Sequence, residues 1–245
     1  MSGAITGTAT SLEALTQQKY DITSNLANAN TAGYKRRMNV FSNELERQLA
    51  PTESTGWDGG GTVESELAVD FSQGALEQTQ RPLDMGLSGP GFFVIETPEG
   101  PLYTRSGCFY VNPRGQLTDA SGRVVAGRGG PLIVPNTAGE AQINVAHDGT
   151  VSVGGQAIGQ LNLVEFETLQ RLEPAGAGCF RAPEDLAPQG AAKTTVQQFY
   201  RESSNVNVVQ ELVNLITVTR MYEANINAIR AQDEQASSLL QVAMA

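Results

Sequence analysis

The sequence predicts a chain that is mainly β with long terminal α-helices: an antiparallel β middle domain, plus coiled-coil-like pairing of the N- and C-terminal helices. Three observations carry this. Val208, Leu212, Leu215, Thr219, Tyr222, Ile226, Ile229, Asp233, Ala236 and Leu240 recur in steps of four and three, the spacing of a helical seam. A second row near the other end, Ile5, Thr8, Leu12, Leu15, Lys19, Ile22, Leu26 and Ala29, has similar spacing. Between them, short apolar or alternating pieces separated by Gly, Pro, Asn and Asp turn signals replace the helical period. Neither row can be buried by its own helix, so each needs a partner, and within one chain the nearest is the other end.

Residues 4–30 read as the first helix, carried by good helix formers such as Glu13, Gln17 and Gln18. Asn28, Asn30, Thr31 and Gly33 stop it, because they favour left-handed backbone and local side-chain bonds. Residues 35–49 read as a second, shorter helix with Met38, Phe41, Leu45 and Leu49 along one face. Its basic start, Lys35-Arg36-Arg37, opposes the helix dipole. Those charges therefore cap the preceding turn, pair with carboxylates of a neighbour, or form a solvated cluster. From Pro51 to Glu66 the chain turns acidic and rich in Gly, Ser and Thr, with too few apolar groups to order alone. Trp57 inside it is either a contact anchor or docked on its own domain.

Strands dominate from Glu66 to about Phe166. Glu66–Phe71 alternates and Phe92–Ile95 is a compact core strand. Further pieces lie at Cys108–Val111, Arg123–Ala126, Leu132–Val134, Ile143–Val145, Val151–Val153 and Leu161–Phe166. Residues 173–191 read as loop and Thr194–Tyr200 as a short strand. Asn207 and Gln210 have N-cap and N3 spacing before a last helix of roughly 35 residues, roughly 52 Å long. The expected segments are therefore 1–34, 35–66, 67–200 and 201–245.

Composition narrows the function. Sixteen Lys and Arg against 26 Asp and Glu give a net charge of −10, which repels phosphate backbones and argues against a nucleic-acid partner. No stretch approaches the length of an apolar membrane span, and Met1 is followed by no basic, apolar leader. His147, the sole histidine, lies in a turn-like His-Asp-Gly-Thr stretch facing solvent. Cys108 and Cys179 lack CxxC spacing and read as free thiols, with a mutual disulfide open and metal ligation excluded. HExxH, GxSxG and Walker A patterns are missing, and Gly127-Arg128-Gly129-Gly130-Pro131 lacks the Lys-Ser/Thr of a phosphate loop. Glu165 and Glu167 share strand parity, which a solvated strand face explains. No catalytic, cofactor-binding or metal residues are expected, so assembly comes before catalysis; a β-domain binding module is the alternative class.

Several motifs then identify a family. Leu26-Ala27-Asn28-Ala29-Asn30-Thr31-Ala32-Gly33-Tyr34-Lys35 resembles the N-terminal signature of bacterial flagellar rod and hook proteins. Glu202-Ser203-Ser204-Asn205-Val206-Asn207 through Val213, with Arg220-Met221-Tyr222-Glu223-Ala224-Asn225, resembles their C-terminal signature. Phe71 to Thr79, Leu83 to Phe93 and Tyr103-Thr104-Arg105-Ser106-Gly107-Cys108-Phe109 match between them, in order. Gly86 departs from a common Ala, and the start at Met1 lacks several residues usual in the family.

The resemblance implies an axial structural protein of the flagellar basal body. It would be exported through the flagellar export apparatus and placed across the periplasmic region. Its terminal helices would pack within and between subunits into a torque-transmitting tube around the export channel, with the β domain outside. Partners would be further copies and other rod and hook proteins. The chain has no room for the outer domain of the hook protein. Only Asn39 to Glu66 intervenes after the first signature, and Asp233 to Leu240 resembles proximal rod members, so the proximal rod is expected and the distal rod is the alternative. The expected assembly interface is Leu12, Leu15, Ile22 and Leu26 with Leu212, Leu215, Tyr222, Ile226 and Ile229. Asn28, Asn30 and Gly33 would set the signature turn, and Lys35, Arg36, Arg220 and Glu223 would make polar contacts between subunits. Lys19 meets Asp233 if the helices run antiparallel with a suitable stagger.

Overall fold

A computed structural model of the chain describes residues 2–41, 65–135 and 142–243. It divides into a helical unit, Met1–Ala27, Arg37–Asp70 and Asn207–Ala245, and a β unit, Asn28–Arg36 and Phe71–Val206.

The helical unit holds α1 (Ser2–Ala27), β1 (Arg37–Phe41), β2 (Ser65–Val69) and α2 (Val208–Ala243). The α2 helix starts where Asn207 Oδ1 accepts the Gln210 amide at 3.2 Å, an N-cap as the sequence predicts. The reciprocal half of a capping box is not made, since the Gln210 side chain donates to Asn214 instead. The two helices pack on each other. Among the side chains described, the shielded rows run over residues 11–26 of α1 and 211–229 of α2, and Asn225 Nδ2 donates to Ser11 Oγ at 3.3 Å. Only an antiparallel pair lets both rows overlap about that contact, because a parallel one would place residues 211–215 beyond the start of α1, where α1 could not shield the buried Glu211. This register sets Lys19 level with about residue 217, so Asp233 lies about 24 Å further along α2. The Lys19–Asp233 pairing within one chain is thereby corrected.

The expected short helix is also corrected, for residues 37–41. They form β1, antiparallel to β2 with Arg37 opposite Val69 and Phe41 opposite Ser65. Asn25 in α1 decides this locally: its amide donates to the Arg37 carbonyl at 2.8 Å and its carbonyl accepts the Arg37 amide at 2.9 Å, copying a ladder pair. Met38 and Phe41, three apart, fit a helical face and Met38 and Val40, two apart, fit a strand face, so the pairing with a distant segment decides between them. Leu45, Leu49 and Trp57 lie outside the described residues.

In the β unit all described pairings are antiparallel, as the many short strands predict. The central strand β5 (Phe92–Glu96) lies between β6 (Leu102–Thr104) and β9 (Val124–Gly127). Beyond β9 come β8 (Leu117–Thr118) and β7 (Tyr110–Val111), and β10 (Gly130–Pro131) also joins β9. On the other side β6 meets β16 (Cys179–Arg181), which meets β15 (Glu173–Gly176). The strand β14 (Leu163–Glu165) links β5 to β17 (Gln189–Gly190). Strands β11 (Ile143–Val145), β12 (Thr150–Val153) and β13 (Gln156–Gln160) make a separate three-stranded sheet.

Alternation along β5 explains why Phe92–Ile95 reads as an unbroken apolar run. Phe93 and Ile95 enter the main core with Leu83, Met85, Leu87, Phe109, Leu117 and Val125, while Phe92 joins a second cluster with Phe71, Phe166 and Phe180. Both faces are covered, so no polar alternation is needed.

Two expectations change here. Residues 173–191 are not all loop: Glu173 opposes Arg181 in the β15–β16 hairpin, whose tip uses left-handed Gly176, Ala177 and Gly178. The Ala-Gly-Ala-Gly run is the turn chemistry, and the strands beside it are short. Thr194–Tyr200 splits into β18 (Thr195–Gln198), paired with β4 (Met85–Ser88), and β19 (Tyr200–Glu202), paired with β3 (Leu76–Gln78). Phe199 breaks it at φ 66°, held by bonds from its amide to the Asp84 carbonyl and from the Thr79 amide to its own carbonyl. Cys108 and Cys179 are free thiols, and His147 sits exposed in its turn.

Candidate functional site

Two features stand out, one in each unit. In the helical unit, α2 has apolar residues on both sides over its first turns. Glu211, Asn214, Leu215, Val218, Thr219 and Tyr222 form the shielded row, with Val218 buried. Val209, Leu212, Val213 and Ile216 form another row at helical spacing and are 71, 47, 52 and 55 % exposed. An ordinary surface helix spends that side on charge; this one leaves four branched aliphatics in water.

The expected interface residues divide accordingly. Ile22 is buried and Leu12, Leu15 and Leu26 are half-buried on α1; Leu215, Tyr222, Ile226 and Ile229 are half-buried on α2. Leu212 stands apart from them in the open row. Arg220 and Glu223 are exposed. Asp21, buried on α1, has no donor in hydrogen-bonding geometry on either carboxylate oxygen. Burial pushes its carboxyl above the ordinary range, against the opposing pull of Arg37 and Gln17.

The β unit closes on a knot of charge. Glu202, fully buried, takes the Lys35 ammonium at 2.6 Å and the Gly74 amide at 3.0 Å on Oε1. Its Oε2 takes Arg105 through Nε and Nη2, both at 2.9 Å. Two cations face one anion, so backbone carbonyls take the remaining donors. Lys35 reaches the Ser72 carbonyl at 2.6 Å, and Arg105 Nη1 reaches those of Gly89, at 2.7 Å, and Gly91. The Arg105 guanidinium also lies 5.8 Å from the Phe92 ring centre. Burial lowers its affinity for the proton, and Glu202 opposes that.

The backbone follows the same plan. The Gly33 amide donates to the Glu202 carbonyl at 2.8 Å, the Arg36 amide to Asn205 Oδ1 at 2.7 Å, and Asn205 Nδ2 to the Ser72 carbonyl at 3.2 Å. Asn28 and Gly33 build the turn before it: the Thr31 amide donates to the Asn28 carbonyl, and Gly33 has φ 68°. Asn30 is exposed. A Cβ on Gly33 would stand 2.4 Å from the Ser106 nitrogen, and one on Gly74 would stand 2.0 Å from the Ser203 carbonyl oxygen. Both glycines are there so that backbones can touch.

Lys35 thus directs its ammonium to Glu202 of its own chain, and the backbone amide of Arg36 joins the network through Asn205. Sequence reading missed Arg105 and Glu202 as a pair. The available signal was that three of the motifs each carry a charge among small residues, two positive and one negative. Glu165 is likewise structural, accepting the Lys193 amide and the Thr194 hydroxyl. Among the described residues no group of His, Cys, Asp and Glu could hold a metal ion, and no helix is long and apolar enough to cross a membrane.

Known families match the same segments. Residues 10–35 match the flagella basal body rod protein family, 86–153 the flagellar hook protein FlgE/F/G D1 domain, and 197–242 the flagellar basal body rod FlgEFG protein C-terminal family. Each matched segment contributes one charge to the knot: Lys35, Arg105 and Glu202. The chain is 34 % identical to the flagellar basal-body rod protein FlgG of Buchnera aphidicola subsp. Schizaphis graminum, covering 90 % of this chain and 92 % of that one. It is 32 % identical to FlgF of Caulobacter vibrioides over 83 % of this chain and 82 % of that one. Against FlgF of Escherichia coli the identity is 32 %, over 87 % of each. By fold, by motif order and by these likenesses, the chain belongs to the flagellar basal-body rod protein family.

Proposed function

We propose that this protein is a structural subunit of the flagellar rod, self-assembling through its terminal helices into a tube that transmits torque and encloses an export channel. The open row Val209, Leu212, Val213 and Ile216 carries the proposal, because α2 has already met α1 with its other side. A second subunit's helix is the partner that would bury it. A repeated contact between two different surfaces extends into a filament, whereas a two-fold contact would close after one pair. Leu12, Leu15, Ile22, Leu26, Leu215, Tyr222, Ile226 and Ile229 then hold the helix pair that presents this row, and Arg220 and Glu223 offer exposed charges to neighbours.

Other rod and hook proteins and the flagellar export apparatus are the proposed partners, and the basal body across the periplasm is the proposed location. Taking FlgF as the proximal and FlgG as the distal rod protein, we place the subunit in the distal rod, although the tail from Asp233 suggests the proximal one: the match to FlgG of Buchnera aphidicola subsp. Schizaphis graminum, at 34 % over 90 % of the chain, exceeds those to the two FlgF relatives, at 32 % over 83 % and 87 %. Photo-cross-linking from position 213 within intact basal bodies tests both levels. Adducts with a second copy or with a rod or hook protein support the reading, and adducts at the hook junction support the distal placement. Protein recovered from basal bodies with no adduct at all overturns the interface.

A further inference from the structure

We propose, resting on the rod-subunit reading, that Glu202 is a positioning residue for assembly: clamped by Lys35 and Arg105, it fixes the two points at which the chain leaves the β unit for its terminal helices. Residues 33–36 follow α1 and residues 202–205 precede α2. They are far apart in sequence, yet each is bound to the other and both to one loop. Gly33 bonds to Glu202 and Arg36 to Asn205. Lys35, Glu202, Ser203 and Asn205 bond to residues 72–75.

The chemistry favours geometry over bulk stability. A buried ion pair returns little net stability once its desolvation is counted, and its best attested use is to fix a register. The apolar core of this unit, from Leu83 to Val196, includes none of residues 33–36 or 202–205. An apolar filling in place of the knot would cover the same space but let 33–36 slide along 202–205. Charge-assisted bonds in a fork from Arg105 and a point contact from Lys35 hold one alignment. A filament requires that alignment to be identical in every copy, since an error in the spacing of the exits is repeated at each subunit.

The test uses the full chain, purified for hydrogen exchange and expressed in place of the native gene for recovery from basal bodies. Glu202→Gln keeps the shape and removes the charge. The expected result is about tenfold or greater loss of protection at the Gly33, Arg36 and Ser203 amides, with the Val94 and Phe109 amides changed less than about twofold. Incorporation into basal bodies falls with it. Lys35→Met, which leaves Arg105 on Glu202, gives a smaller version of both effects and serves if Glu202→Gln does not fold; Lys35→Arg restores protection and incorporation. Unchanged exchange at the three amides, or normal incorporation despite lost protection, overturns the proposal. So does loss of core protection in both Glu202→Gln and Lys35→Met, which would make the knot a support of the core. The unaltered chain separates the two readings: its absence from basal bodies sinks the rod-subunit reading, whatever exchange reports at Gly33, whereas full incorporation of Leu212→Asp shows only that the open row is not the contact.

Discussion

The β unit and the helical unit treat buried and exposed groups in opposite ways. In the β unit the apolar residues close on themselves in two clusters, and the carboxylate at its centre has four donors. In the helical unit one row is shielded while another, chemically as apolar, stays open, and the buried Asp21 carboxylate finds no donor in geometry. The first is a finished fold. The second has the composition of a part that is completed from outside, and the contrast locates the unmet demand of the sequence on α2.

The largest expected effect breaks the finished side. Arg105→Met strands Lys35 as the sole cation on Glu202 and leaves the Gly89 and Gly91 carbonyls without a donor, which should cost about 3–5 kcal/mol of local stability where residues 33–36 meet 202–205. Hydrogen exchange at the Gly33 and Ser203 amides, with the Ile95 amide as the core reference, would measure it, and a local loss under about 1 kcal/mol would mean that the knot does not hold these segments.

A smaller effect, of opposite sign, is expected at Asp21. Its raised folded-state affinity means that the native chain keeps a proton to higher pH than the unfolded chain does. Between the ordinary carboxylate range and the raised value, stability therefore falls as pH rises, and the deficit is complete above the raised value. Asp21→Asn should stabilise the helical unit by about 1–2 kcal/mol above that value and flatten the dependence. A variant that unfolds earlier at every pH would show that the carboxylate is satisfied. Smaller again, Asn207→Ala should cost about 1 kcal/mol of α2 stability through the lost cap, visible as faster exchange at the Gln210 amide.

How much of this was legible depends on the range of each interaction. The α2 helix, its cap at Asn207 and the core strand at Phe92 follow from local period and local chemistry, so the sequence shows them. Residues 37–41 fit a helix or a strand equally by pattern, and the choice is made by Asn25 and by a partner strand that begins at Ser65. The knot is harder still. Lys35, Arg105 and Glu202 stand in recognisable motifs, but which charges meet depends on the folded path of nearly 170 residues between the first and the last. The open row was partly visible: Leu212 belongs to the a/d count, yet its neighbour Val218 is the one the helix pair buries. A heptad count cannot tell which of two apolar sides on one helix faces inward.

The smallest change to the free chain is the one that tests this division best. Ile216 is 55 % exposed, so Ile216→Asp should alter monomer stability by no more than about 0.5 kcal/mol and leave far-ultraviolet circular dichroism unchanged. If the open side of α2 is an unfinished interface, the same substitution places a charge where a neighbouring helix must seat, and desolvating an unpaired carboxylate there opposes assembly. Swimming halos and recovery from basal bodies should then collapse while the soluble protein melts as before. Normal motility with Ile216→Asp would show that the aliphatic row on this side is tolerated exposure and would move the missing partner to another face of the helical unit. A lowered melting transition in the dilute monomer would show instead that the row is buried within one chain, and the contrast between the two units would disappear.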